Sequence, residues 1–244
     1  MATTTSTVDY ARLRRNTAIA TPLTLLVPVA FAVVLASAGA DLSLSAAGVG
    51  ALGWLVALAL RAPVSVVALK ALGDPERVKP WIVGSSGPLE EGVRLVVLLL
   101  VGRSFSEAAS IGLGWAAVEI VYTTITGFVT LSLVRRTDEQ AVQAREMLEA
   151  QGMLRETGPA LGIVERIGAS ALHIGFTLLV AWRPLLVIAT AVVHSAVNLV
   201  LIRMFQRSPL LTELALLLIG VATLVLGVAV LPEDRHQPSR KPPE

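Results

Sequence analysis

The chain has 244 residues, 54% hydrophobic and only 16% charged, with a mean hydropathy of +0.72. A soluble domain carries about 25% charge, so the composition excludes one, and a net charge of +2 offers little to a nucleic acid. With no cysteine, disulfides and thiolate metal sites are excluded too.

Residues 1–18 read as a polar cytoplasmic tail containing Arg12, Arg14 and Arg15. Seven apolar runs follow, at 19–39, 47–69, 81–102, 109–134, 159–181, 184–203 and 209–231. Each suffices to cross a hydrocarbon layer of about 30 Å. The alternating ten-residue pattern of a membrane barrel is absent. The predicted fold is therefore all-α, a polytopic transmembrane helix bundle of about seven spans. It divides into a transmembrane domain at 19–231, with a motif-bearing core at 81–203, and a proline-rich, disordered tail at 232–244. The first run lies between "RLRR" and "ASA", which has the look of a secretory signal. Its length and the spans after it predict a retained first helix instead.

Between the fourth and fifth runs, residues 135–158 are rich in helix formers. Ala141, Ala144, Met147 and Leu148 recur at helical spacing and predict a short amphipathic helix at the membrane surface, a solvated connector. With the N-terminus inside, twelve basic residues fall in cytoplasmic segments and five outside, which sets the orientation. The expected location is a bacterial cytoplasmic membrane, with the lipid bilayer as surroundings.

Ionisable residues inside the runs are few: Arg61, Glu90, Glu91, Arg94, Glu119, Glu165, Arg166, His173 and His194, with Asn198 as a polar companion. A charge at the bilayer centre costs about 2.5–3.5 kcal/mol on insertion scales, so such residues face the bundle interior or a wet cavity. Arg94 lies i+4 from Glu90 and i+3 from Glu91, within reach of either carboxylate. It can neutralise one and leave the other to work. Arg166 and His173, seven apart, share a face with Glu165 beside it, and His194 and Asn198 share another. Glu119 follows Gly112 and Gly114, which allow close helix approach. It is either a further ligand or a partner for Arg166. Arg61, just before "AP", reads as a kink marker or a side chain reaching for an interface, with a role at the site as the lesser alternative.

At about 1.5 Å per residue, Glu90 and His194 lie about 14 Å from the cytoplasmic ends of their runs and His173 about 20 Å. One carboxylate and two imidazoles can thus converge from three helices. Such a grouping holds a divalent metal, or activates water without one. Hydrolysis at that depth needs a polar cavity among the third to sixth runs.

The motifs "EEGVR", "GLGWAAVE", "ERIGASALH" and "HSAVN", in this order over 87–198, resemble the YhfC-type intramembrane metalloproteases, relatives of the PrsW proteases and the CAAX prenyl endopeptidases. The resemblance implies an intramembrane endopeptidase acting on a membrane protein or lipid-anchored peptide. In it Glu90 activates water with help from His173, while His194 and Asn198 bind the oxyanion or complete a Zn²⁺ site of Glu90, His173 and His194. Glu91 and Arg94 are supporting residues, and Glu119, Glu165 and Arg166 flank them. Ala169 stands where the CAAX pattern has phenylalanine, so CAAX specificity is not implied. Two other readings stay open: an ion- or proton-coupled transporter, and an inactive scaffold or immunity protein. Against the first, no internal repeat is visible. Against the second, none of Glu90, His173 and His194 has been lost.

Overall fold

A computed structural model describes residues 9–150 and 158–231, apart from the side chains at 75, 76, 146, 147, 149 and 150. The tail at 232–244, residues 1–8 and the Met147 side chain lie outside the described part. Nine helical segments run α1 (Tyr10–Leu25), α2 (Val27–Ser37), α3 (Leu44–Leu72), α4 (Pro75–Val101), α5 (Phe105–Arg135), α6 (Glu139–Ala150), α7 (Pro159–Trp182), α8 (Leu186–Arg207) and α9 (Pro209–Val230). The fold is all-α. α1 and α2 form one span, Tyr10–Ser37, broken only at Leu26. The break falls where Pro28 removes the N–H that the Thr24 carbonyl would accept.

The first helix starts at Tyr10 rather than at residue 19. The Asp9 carboxylate accepts from the Ala11 and Arg12 N–H groups at 3.0 Å each, so a polar turn can precede the apolar run. The expected connector helix is α6. It is capped by Asp138, which accepts from Ala141 N–H at 3.2 Å, and it buries Ala141. The hydrogen-bonded guanidinium of Arg136 holds the Asp138 carboxyl below its usual range.

Six helices are long and apolar enough to cross a membrane: Tyr10–Ser37, α3, α5, α7, α8 and α9. The seventh expected span, α4, does not qualify on composition, because Glu90, Glu91 and Arg94 crowd its middle. Its 27 residues still reach about 40 Å. All three charges are buried, whereas Val96, Leu99 and Leu100 on its other face are exposed. The charges therefore belong to the bundle interior.

α7 is the centre of the bundle and is buried almost continuously from Gly168 to Ala181. It packs most closely on α9, where a Cβ at Gly220 would overlap the Gly168 carbonyl oxygen. α3 packs against α4 and α5, α4 against α8, and α5 against α7. Gly112 and Gly114 do serve close approach: their missing side chains make room for α7 at Ile174 and for α3 at Ala47.

The α4–α8 contact fixes half of the polar centre. A Cβ at Gly87 would collide with Ala191 and Ser195 of α8. Pro88, inside α4, has no N–H, so the Gly84 carbonyl loses its helical donor. Ser195 Oγ supplies one at 2.6 Å. Ser195→Ala is expected to lower stability by about 1 kcal/mol, the cost of leaving a partly buried acceptor bare. In a Pro88→Ala background the helix provides its own donor and the penalty should nearly vanish. A double-mutant cycle on reversible unfolding in detergent measures this. Equal penalties in both backgrounds would disprove the exchange of donors.

Candidate active site

Glu90, Glu91 and Arg94 come from α4, His173 from α7 and His194 from α8, and all five are at most 5% exposed. One atom each of Glu90, His173 and His194 lies within 4.8 Å of the others, a buried group able to hold a divalent metal ion. His173 Nδ1 is 3.9 Å from Glu90 Oε2, and His194 Nε2 is 3.9 Å from Glu90 Oε1. The two rings meet edge-on with centroids 5.4 Å apart.

Each imidazole is held from outside by a carboxylate. His194 Nδ1 is 2.9 Å from Glu91 Oε1, and His173 Nε2 is 2.6 Å from Glu119 Oε2. A carboxylate only accepts, so in the neutral ring these outer nitrogens carry the hydrogens. The lone pair of His194 Nε2 is then turned toward Glu90, while that of His173 Nδ1, also 3.9 Å from Glu90, accepts from Arg94 Nη2 at 3.1 Å. Metal-binding histidines are oriented in this manner, by an outer hydrogen bond to a carboxylate.

The carboxylates are held in turn. Of the two acids within reach, Arg94 pairs with Glu91, Nε to Oε2 at 3.0 Å. Its Nη1 donates to the His173 carbonyl at 2.8 Å and to Thr177 Oγ1. Its Nη2 lies 3.1 Å from His173 Nδ1, and its plane lies 4.3 Å from the Trp115 ring centroid. Glu90 is left to a different helix: Arg61 of α3 pairs with Oε1, and Trp115 Nε1 donates to Oε2 at 3.3 Å. Both readings of Glu119 are realised at once, since its Oε1 accepts from Arg166 at 3.1 Å while Oε2 holds His173. Arg166 also pairs with Glu165.

Asn198 lies one turn from His194, on the same face. Its amide donates to Ser86 Oγ at 2.8 Å, one turn of α4 before Glu90. That bond ties α8 to α4 and places the amide beside the Glu90–His pair rather than in it. A cavity of about 300 Å³ is bounded by α1, α5 and α7, with Arg166 in its wall.

The donor set fits a divalent cation, and His₂Glu is a known catalytic zinc set. Ligands on a tetrahedral zinc stand about 3.3 Å apart, from bond lengths of about 2.0–2.1 Å. The 3.9 Å separations run to different oxygens of Glu90, and the three donor atoms lie within 4.8 Å of one another, so the group would have to close by about 0.6–1.5 Å to reach that spacing. Charge also leaves room. Four carboxylates (Glu90, Glu91, Glu119, Glu165) face three guanidiniums (Arg61, Arg94, Arg166), so the group is one negative charge in excess with neutral imidazoles. A cation would have to displace Arg61 from Glu90 and Arg94 from His173 Nδ1.

The sequence does not single out Trp115, Thr177 or Glu213. Of the readings open for Arg61, the structure realises the one at the site, against Glu90, and α3 runs unbroken through Pro63. Trp115 and Thr177 are each four residues from a site residue, Glu119 and His173, so helical phase alone would have found them. Glu213 on α9 is 4% exposed, and its Oε2 has no hydrogen-bond partner. No protein family, curated protein or solved structure matches the chain.

Proposed function

We propose that the chain is a membrane-embedded endopeptidase of the YhfC type. On this reading it hydrolyses a peptide bond in a membrane-embedded or membrane-anchored substrate. The observation that carries the reading is the buried group of Glu90, His173 and His194, whose imidazoles are pinned from outside by Glu91 and Glu119. A bundle that needed these groups only for packing would have no use for two oriented imidazoles around one carboxylate.

Glu90, His173 Nδ1 and His194 Nε2 would hold a divalent cation, which supplies Lewis-acid polarisation and a water of lowered pKa. The chain's own residues bind and orient. On the route that uses no metal, water enters between Glu90 and the imidazoles, and its proton passes to Glu90, with His173 orienting the water, as its oxygen attacks the scissile carbonyl carbon. The Arg61 guanidinium, the least buried of the three guanidiniums with 28% of its side chain exposed, lies beside the developing oxyanion and stabilises it. The C–N bond then breaks as the same proton is delivered to the leaving amine.

The test uses the purified protein in vesicles with a library of single-span membrane peptides. New termini found by mass spectrometry only with the active protein support the reading, as does about one zinc per chain held against dialysis. No cut peptide, together with proton or ion flux across the vesicle, would favour the transporter instead.

A further inference from the structure

We infer that the cavity between α1, α5 and α7 is the water port of the site and that Arg166 is its gate. The inference rests on the hydrolase reading, because hydrolysis consumes water at a depth where lipid supplies none.

The cavity's lining selects for water. Thr17, Thr24 and Thr123 each donate their hydroxyl hydrogen to a carbonyl of their own helix, at 3.0, 2.9 and 3.0 Å. What they turn outward is acceptor oxygen, which suits a neutral donor such as water. An anion would find no available cation, because Arg166 is committed to both Glu119 and Glu165. The wall is also bare where packing does not require it. A Cβ at Gly127, Gly158 or Gly162 would meet nothing within 4 Å. About 300 Å³ holds on the order of ten waters at the liquid volume of about 30 Å³ each.

From this cavity to the site there is a short polar path. Arg166 Nη1 reaches Glu119 at 3.1 Å, Glu119 reaches His173 Nε2 at 2.6 Å, and His173 Nδ1 is 3.9 Å from Glu90. Arg166, with 12% of its side chain exposed, stands between the cavity and the buried imidazole. It is a positioning residue: held by Glu119 and Glu165 it keeps Glu119 against His173 and the path closed, and a swing toward the cavity that draws Glu119 off His173 opens it.

The absence of native cysteine makes the test direct. Single cysteines replace Thr21, Thr124 and Gly162 in the cavity wall, and Val56, an exposed α3 position, as the lipid-facing control. A charged, membrane-impermeant thiosulfonate is then added to each side of vesicles separately. Wall cysteines should react on the order of tenfold faster than Val56→Cys, and from one side only, since thiolates form in water. Rates equal to the control would mean that the cavity is filled by lipid or closed, and would overturn the port.

The gate is read at His173→Cys. Its reaction with the same reagent should accelerate on the order of tenfold when Arg166→Ala is added. Arg166→Lys keeps a charge on Glu119 but shortens the plug, so it should raise the rate severalfold. It serves as the second variant where the alanine form does not fold. An unchanged rate in the folded variants would disconnect the cavity from the site. Labelling requires no proteolysis. A protein that labels as expected but cuts nothing would keep the port and lose the hydrolase reading, and one that cuts without labelling would do the reverse.

Discussion

Arg94→Ala is expected to destabilise the protein by about 3–5 kcal/mol, the cost of breaking a buried pair from one side. Arg94 and Glu91 are both fully buried, so the carboxylate left behind has no water to turn to. The loss spreads further. The His173 carbonyl and Thr177 lose a charged donor, and the Trp115 ring loses its cation. Arg94→Lys keeps the charge but cannot reproduce the fork that reaches Glu91 and α7 together, so it should fall between. Reversible unfolding in detergent or bicelles is the measurement. A change below about 1 kcal/mol, the size of an exposed pair, would mean that Arg94 does not hold the centre together.

Glu90→Gln should have the opposite profile. The amide keeps the shape and an acceptor for Trp115, while the proton acceptor is gone. Hydrolysis is expected to fall by about 10²–10⁴, the usual contribution of a positioned acid–base group. Stability should change little, because Arg61, the partner it abandons, is 28% exposed and can extend toward a polar interface. Initial rates on a cleaved membrane peptide, at matched protein abundance, decide the matter. Retained cleavage in Glu90→Gln would remove this residue from the chemistry. A transporter would instead lose coupled ion movement, and a scaffold would lose nothing.

Much of the architecture is legible in the chain because lipid imposes a simple rule. Every backbone group must be satisfied within its own segment, so long apolar runs become helices. The boundaries shifted where capping mattered more than hydropathy, as at Asp9. The α4 span was legible by length and became ambiguous by composition. Only its burial on one face and lipid-like exposure on the other settles how three charges fit in it.

Which residues are chemically able to act can be read from the chain alone. Glu90, Glu91, Arg94, His173 and His194 stand out because ionisable groups are costly in lipid, and helical phase puts them on inward faces at one depth. Pairing was a different matter. Arg94 reaches either carboxylate along its own helix, and local geometry does not discriminate between them. The choice of Glu91 was made by α7, whose His173 carbonyl and Thr177 pull the guanidinium to one side, and by α3, whose Arg61 takes Glu90. Likewise Glu119 could serve a histidine or an arginine, and it serves both because α5 and α7 approach closely at Gly112. Such choices depend on groups from other helices, far away in sequence. They are fixed by how closely the glycine-lined faces pack, and that distance is a property of the assembled bundle.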